Sequence, residues 1–262
     1  MNKTYSLLNT LLQANQAGAV GTVISGHPEI CPPGTKFVAD HDEQDLLQEM
    51  DPDLFHGFRE EIAGVIKART PKVVEIMWQE AMIRVFIDPI VPQAHLLILG
   101  GGHIALPLVS LGKLLGYQVT VIDDRLSFAN PGRFPQADQV ICEDFQRAIR
   151  NQVIDLSTYV IVVTRGHRHD RTCLEEIFAK TPAAYTGMIG SRRKIAALFE
   201  ELRASGWEED MLNRVYTPIG LDIGAQTPEE IAVSIMAEII MVNRQGYSLG
   251  LKMKNGGKSG GQ

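Results

Sequence analysis

From His95 onward the chain repeats one rhythm, a short apolar run followed by a helical stretch. Apolar runs occupy 96–99, 118–122, 139–142, 159–163, 184–189 and, more weakly, 215–219. Segments with helical spacing lie at 103–115, 144–150, 171–180, 191–204 and 228–243. Strand and helix in alternation imply parallel strands joined by crossover helices, and right-handed crossovers give a doubly wound sheet. Ligands bind such a sheet at the carboxyl ends of its strands, where the polar clusters of this half fall. The fold class expected is α/β: a Rossmann-like doubly wound parallel sheet over 95–250, preceded by a small α+β domain over 1–90.

In that first domain Leu7, Leu8, Leu11 and Leu12 keep helical spacing. Strands are expected over 19–25 and 36–40, and helices over 45–50 and 53–68 with a break near Asp51-Pro52. Two further strands, 72–78 and 82–88, are joined through Gln79-Glu80 in a hairpin. "PIVPQA" marks the change of pattern, with 91–94 as linker. The Gly- and Lys-rich end, 251–262, is expected to be disordered. There is no internal repeat.

Bulk properties exclude several classes. The net charge of −6 disfavours a general nucleic-acid binder. No apolar stretch reaches membrane-spanning length, and the amphipathic start lacks the core and cleavage site of a signal peptide. The three cysteines, Cys31, Cys142 and Cys173, have no CxxC spacing, so neither a disulfide framework nor a structural zinc site is indicated. A reducing cytoplasm fits best. Cys142 and Cys173 read as small buried apolar residues. Cys31 sits in a Pro-rich loop where exposure is expected, without an activating neighbour beyond His27.

The first strand of the repeat runs into "GGGHIA". Gly100 permits a tight turn, Gly102 lets a phosphate approach the backbone, and Ala105 lets helix and strand pack closely, in a G-x-G-x-x-A arrangement. The helix that follows offers unpaired N–H groups to an anion. Asp123 ends the second strand, where a carboxylate can bind ribose hydroxyls. Alternatively the glycines only shape the turn. Pro107 is expected to kink the helix or delete a bond. Arg125 either meets a 2′-phosphate or is solvated, which leaves NAD and NADP both open.

Three more clusters end strands. "VVTRGHRHD" gathers Arg165, His167, Arg168, His169 and Asp170. A cationic rim for a phosphorylated ligand is the preferred reading of Arg165, His167 and His169. Metal ligation by His167, His169 and Asp170 is disfavoured, since no distant ligand can be named; Asp170 as the cap of the next helix is another reading. "GMIGSRRK" puts Ser191 at a helix start and Arg192, Arg193 and Lys194 in its first turn, where cations oppose the helix dipole. They either hold an anion or face solvent and the acidic "FEEL" segment. "PIGLDIGAQTPEE" combines Thr227, Pro228 and Glu230 as a capping box with Asp222 between Gly220 and Gly224, a candidate ligand or a turn former.

Taken together, "GGGHIA", "VIDDR-SFAN--RFP-AD", "VTRGHRHD", "GMIGSRRK" and "PIGLDIGAQTPEEIAVSI-AEI" resemble the carboxy-terminal domain of the XdhC/CoxI family, over roughly residues 90 to 245. These are accessory proteins for maturation of molybdenum hydroxylases such as xanthine dehydrogenase, often labelled dehydrogenases by association. The resemblance implies a Rossmann domain that binds the molybdopterin cofactor, protects it during sulfuration and delivers it to the apo molybdenum hydroxylase, with a cysteine desulfurase as a further partner. It carries the nucleotide-loop motif onto Gly100, Gly102, His103 and Asp123, the second motif onto Arg165, His167, His169 and Asp170, and the third onto Arg192, Arg193 and Lys194. The amino-terminal half lacks the family's Gly-Gly-Cys-Val-Glu type segment, so no cysteine role transfers to Cys31.

Three functions follow in order of preference. The first is a cofactor-carrying maturation factor rather than a catalyst. The second is an NAD(P)-dependent oxidoreductase with His103 or His167 as proton carrier. The third is a non-catalytic nucleotide-binding sensor. A homo-oligomer is compatible with all three, and no residue specifies one.

Overall fold

The computed structural model of the chain describes residues 3–40 and 50–245. It divides into two compact units, Met1–Gln93 and Ala94–Gln262. Positions 45–49 of the helix expected over 45–50, and the tail over 251–262, lie outside the described residues.

The first unit contains α1 (Lys3–Gln13), β1 (Gly18–Ser25), β2 (Lys36–Asp40), α2 (Pro52–Gly57), α3 (Arg59–Ala68), β3 (Lys72–Trp78) and β4 (Ala81–Ile90). Its antiparallel sheet has the order β2-β1-β4-β3. Gln79 and Glu80 close the β3–β4 hairpin, both with positive φ (45° and 67°), as a two-residue turn with matching twist requires. The break at Asp51-Pro52 is a helix start: the Asp51 carboxylate accepts from the Asp53 and Leu54 N–H groups, with Pro52 in the first turn. The single helix expected over 53–68 is two, parted at Phe58 beside Gly57. Leu54, Phe58, Ile62 and Val65 pack on Ala19, Val23, Val85 and Ile87 of the sheet. Pro89 and Ile90, expected at the linker boundary, belong to β4. Beyond Ile87, β4 pairs with β1 alone, and an open side is where a strand tolerates proline.

The second unit contains β5 (His95–Leu99), α4 (Ala105–Leu114), β6 (Gln118–Asp123), β7 (Gln139–Cys142), α5 (Phe145–Arg150), β8 (Thr158–Val162), α6 (His167–Phe178), β9 (Tyr185–Met188), α7 (Arg192–Ala204), α8 (Glu209–Asn213), β10 (Val215–Tyr216) and α9 (Pro228–Gln245). The sheet order is β10-β9-β8-β5-β6-β7, every pair parallel. This is the doubly wound order with its switch point between β5 and β8.

The central strands are apolar at nearly every position because both faces are covered. Leu97, Leu99, Val160 and Val162 face a core with α5, α6 and α7. Leu96, Ile98, Tyr159 and Ile161 face a second core with α4 and α9. Side chains of successive strand residues point to opposite faces, so one run feeds both cores.

Several local expectations are corrected. α6 starts at His167, four residues before the expected 171, so His167 to Asp170 form its first turn and not a polar loop. Asp170 does not cap it; Gly166 holds the cap position without a side-chain bond. Pro107 deletes no intrahelical bond, because it is the third helical residue, where the N–H has no intrahelical partner. Cys31 is fully buried and Cys142 exposed, the reverse of expectation; Cys173 is buried. The weak strand over 215–219 is reduced to Val215–Tyr216, and α8 was not anticipated.

Candidate functional site at the switch point

The glycine loop leaves β5 at the switch point. Gly100 has φ +114°, and a Cβ there would stand 2.4 Å from the Val163 carbonyl oxygen after β8. A Cβ on Gly101 would stand 2.1 Å from the Phe128 carbonyl oxygen. Both glycines are required by packing. Gly102 differs: nothing lies within 4 Å of its Cβ direction. Open space there is what close approach of a ligand to the backbone needs. His103 beside it is exposed.

Asp123 is placed unlike a ribose-binding acid. It is 1% exposed, and its carboxylate accepts from Gly101 N–H (2.9 Å), Arg125 N–H (3.0 Å), Arg125 Nε (2.9 Å) and Arg125 Nη2 (2.9 Å). Burial works to raise its pKa. The Arg125 side chain and the two backbone N–H groups outweigh that and hold it below the ordinary carboxylate value. Arg125 is committed to this clamp and lies over the Phe128 ring at 3.7 Å from its centroid. Arg133 completes the brace by donating to the Gly101 and Gly102 carbonyls (3.1 and 3.4 Å). Sequence reasoning missed Arg133, whose only signal was its place in the "RFP" segment.

Asp124 joins the glycine loop to the next cluster. Its Oδ2 accepts from Arg165 Nη2 (2.9 Å), while its buried Oδ1 has no hydrogen-bond partner. Arg165 also approaches His169 Nε2 (3.3 Å from Nε). His167 Nε2 lies 3.0 Å from Glu201 Oε1 of α7. The two histidines therefore engage different partners, and among the described residues no three His, Cys, Asp or Glu gather as a metal site.

A cleft of about 240 Å³ opens at the carboxyl ends of β8 and β9, between the starts of α6 and α7. Arg165, His167, Asp170, Ser191 and Lys194 supply its polar lining, and Met188, Ile195 and Leu198 part of an apolar one. Ser191 caps α7 by accepting from Lys194 N–H. Asp170 accepts from Thr164 Oγ1 (2.5 Å). Burial raises its pKa, opposed by the Thr164 hydroxyl and by His167, His169 and Lys194.

Charge pairing separates two sets of cations. Arg125, Arg147, Arg150, Arg165, Arg171 and Arg203 each meet a carboxylate. Arg168, Arg192, Arg193 and Lys194 are exposed and make no ion pair among the described residues. Glu201 of the acidic segment pairs with His167 and Arg171 instead. Three consecutive cations thus stand without an ion pair in the first turn of α7, against its dipole, and Lys194 among them acts on the Asp170 carboxyl across the cleft.

The structure brings Gly100, Gly102, Asp123, Arg125, Arg165 and His169 into one contact chain at the switch point, with Arg165 also lining the cleft alongside His167. Arg192 and Arg193 lie beside the cleft without lining it. Asp222 does not line the cleft and is exposed on the loop after β10. That loop is fixed from below: Glu238, 5% exposed, accepts from Tyr185 Oη (2.6 Å) and Gly220 N–H (2.9 Å), and Ser234 Oγ donates to the Leu221 carbonyl (2.5 Å). The capping box forms as read, with Glu230 N–H on Thr227 Oγ1 and Thr227 N–H on Glu230 Oε2.

Residues 96–239, more than half of the chain, match the family model described as the XdhC Rossmann domain. The chain belongs to the XdhC family. The uncharacterized protein YqeB of Escherichia coli (strain K12) is 32% identical over 217 residues, 82% of this chain and 38% of that protein. A probable xanthine dehydrogenase subunit of Bacillus subtilis (strain 168) is 30% identical over 177 residues, 68% of this chain and 51% of that protein. The chain thus spans from 38% to 51% of the length of these curated relatives. A crystal structure of a xanthine dehydrogenase from Bacillus halodurans has a TM-score of 0.53 and 19% identity, covering 97% of each chain, a likeness of fold. No described helix is long and apolar enough to cross a membrane.

Proposed function

We propose that this XdhC-family protein binds a phosphate-bearing pterin, the molybdopterin cofactor, and hands it to an apo molybdenum hydroxylase of the xanthine dehydrogenase type. The carrying observation is the set of cations without ion pairs at the start of α7, beside a cleft lined by Arg165, His167 and Lys194. An acidic protein that leaves such a cluster without ion pairs offers its charge to an anion. Guanidinium groups suit phosphate through planar, paired N–H donors. In a further respect the cleft suits such a group: the core residues Met188, Ile195 and Leu198 form its apolar floor beside the polar wall. The name of the Bacillus subtilis relative supports the choice of client enzyme.

Bound cofactor supplies the molybdenum chemistry to its client; the chain's own part is to hold and shield it. Arg165, His167 and Lys194 would face the phosphate. Equilibrium dialysis against purified molybdopterin tests this. Retention at micromolar affinity is expected, weakened about tenfold or more by Arg192→Ala with Lys194→Ala and by raised salt. No retention by the wild-type chain would overturn it.

The open Gly102 favours a second reading, a nucleotide-binding module using NAD or NADP. Quenching of protein fluorescence by NAD(P)H in the absence of any pterin affinity would support it. Turnover of a carbonyl substrate would extend it to an oxidoreductase.

A further inference from the structure

The cleft between α6 and α7 contains one group that a plain anion trap would exclude. Asp170 stands in the first turn of α6 and lines the cleft opposite Ser191 and Lys194. Its Oδ1 takes the Thr164 hydroxyl at 2.5 Å, while among the described residues no group donates to Oδ2. The titratable groups that face Asp170 are His167, His169 and Cys173 from its own helix and Lys194 from α7. Among the described residues no ion pair closes on it. A second acceptor oxygen is therefore offered to whatever enters.

An ionised carboxylate beside a bound oxyanion puts two acceptors face to face. That is repulsive unless a proton lies between them. Monohydrogen phosphate carries such a proton, and a phosphate monoester has its second pKa near neutrality. Sulfate has the same shape and charge as monohydrogen phosphate but no proton to donate. It binds only if Asp170 takes one up.

We propose that Asp170 makes this cleft selective for phosphate that shares a proton with it, free or as the terminal monoester of a larger ligand, over sulfate and phosphodiesters. This rests on the reading of the cleft as an anion site. Burial that raises the Asp170 pKa makes the shared proton easier to hold.

Calorimetric titration of the full chain with inorganic phosphate, sulfate, dimethyl phosphate and methyl phosphate at mildly alkaline pH provides the test. The wild type should prefer inorganic phosphate to sulfate by at least about thirtyfold, since a site built around one hydrogen bond rejects the analogue that lacks it. Asp170→Asn keeps an acceptor for the Thr164 hydroxyl and should bring the two anions within about threefold, mainly by improving sulfate. Lys194→Ala should weaken both. Titration in buffers of differing protonation enthalpy gives a readout free of any variant: sulfate binding should take up about one proton per site, and inorganic phosphate none.

Methyl phosphate titrated again at about pH 6, where the monoester keeps a proton, assigns the site to a monoester end if it binds, and its rejection there assigns it to the free ion. Equal wild-type affinity for phosphate and sulfate, or a preference that survives Asp170→Asn, overturns the selectivity while leaving the anion site standing. Binding of none of the four removes both.

Discussion

Gly100 and Gly102 stand two positions apart in one loop, and alanine should have opposite effects at them. At Gly100 the backbone has φ +114° and the new Cβ would collide with the Val163 carbonyl. Gly100→Ala should cost about 2 kcal/mol or more in urea denaturation. At Gly102 the Cβ enters open space, so Gly102→Ala should leave the denaturation midpoint nearly unchanged. It should weaken any ligand that approaches the loop backbone. Equal stability losses at the two positions would show that Gly102 is held by packing after all. Asp123 offers a second residue-scale test. Its folded pKa lies below the ordinary 3.8, so its stabilising effect is complete above that value and is lost as pH falls through the lower folded one. Asp123→Asn removes a buried charge opposite Arg125 and should cost on the order of 3 kcal/mol at neutral pH. Acid titration of the variant should show a shallower loss of stability below the ordinary value than the wild type does.

At the scale of elements, the loop between β10 and α9 is held by a buried anchor. Glu238 takes both the Tyr185 hydroxyl and the Gly220 N–H, and Leu221 exchanges bonds with Ser234. Glu238→Ala leaves two buried donors unsatisfied, which should cost about 3 kcal/mol. It should also raise amide exchange at Gly220 and Leu221 well before exchange rises in β8. Uniform exchange across the unit would show that the loop has no separate stability. None of this anchor was legible in the sequence, because Glu238 looks like any polar position on an amphipathic helix and its partners are 53 and 18 residues away. What was legible is what local chemistry determines. The Thr227–Glu230 capping box, the Ser191 cap and the Gln79–Glu80 turn each declare themselves within four residues. The strands of the second unit were legible because burial on both faces leaves unbroken apolar runs. The start of α6 was not, since a run of His, Arg, His and Asp reads as loop; Thr164 reaching to Asp170 fixes that turn through a contact six positions apart. Asp123 was found as a residue but not as an internal clamp, because its surroundings come from Gly101 and from Arg125 folding back upon it.

For the whole molecule, the question is whether the two units are folding units in their own right. The cores of the first unit draw only on residues before Gln93, with Phe37, Phe58, Ile62 and Val85 fully buried. Those of the second draw only on residues from Ala94 onward, on both faces of its six-stranded sheet. Among the described residues each unit thus has a core of its own. The second unit, Ala94–Gln262, is also large enough for burial to outweigh its ordering entropy. The elements proposed to bind an anion, the loop after β8 and the starts of α6 and α7, all lie within it. Residues 94–262 produced alone should therefore give a dispersed amide spectrum and unfold in one cooperative transition. They should retain phosphate affinity within about threefold of the full chain. A collapsed spectrum without cooperative unfolding would show that the first unit is needed to complete the fold. Cooperative unfolding with the affinity lost would instead place part of the binding surface on residues before Gln93.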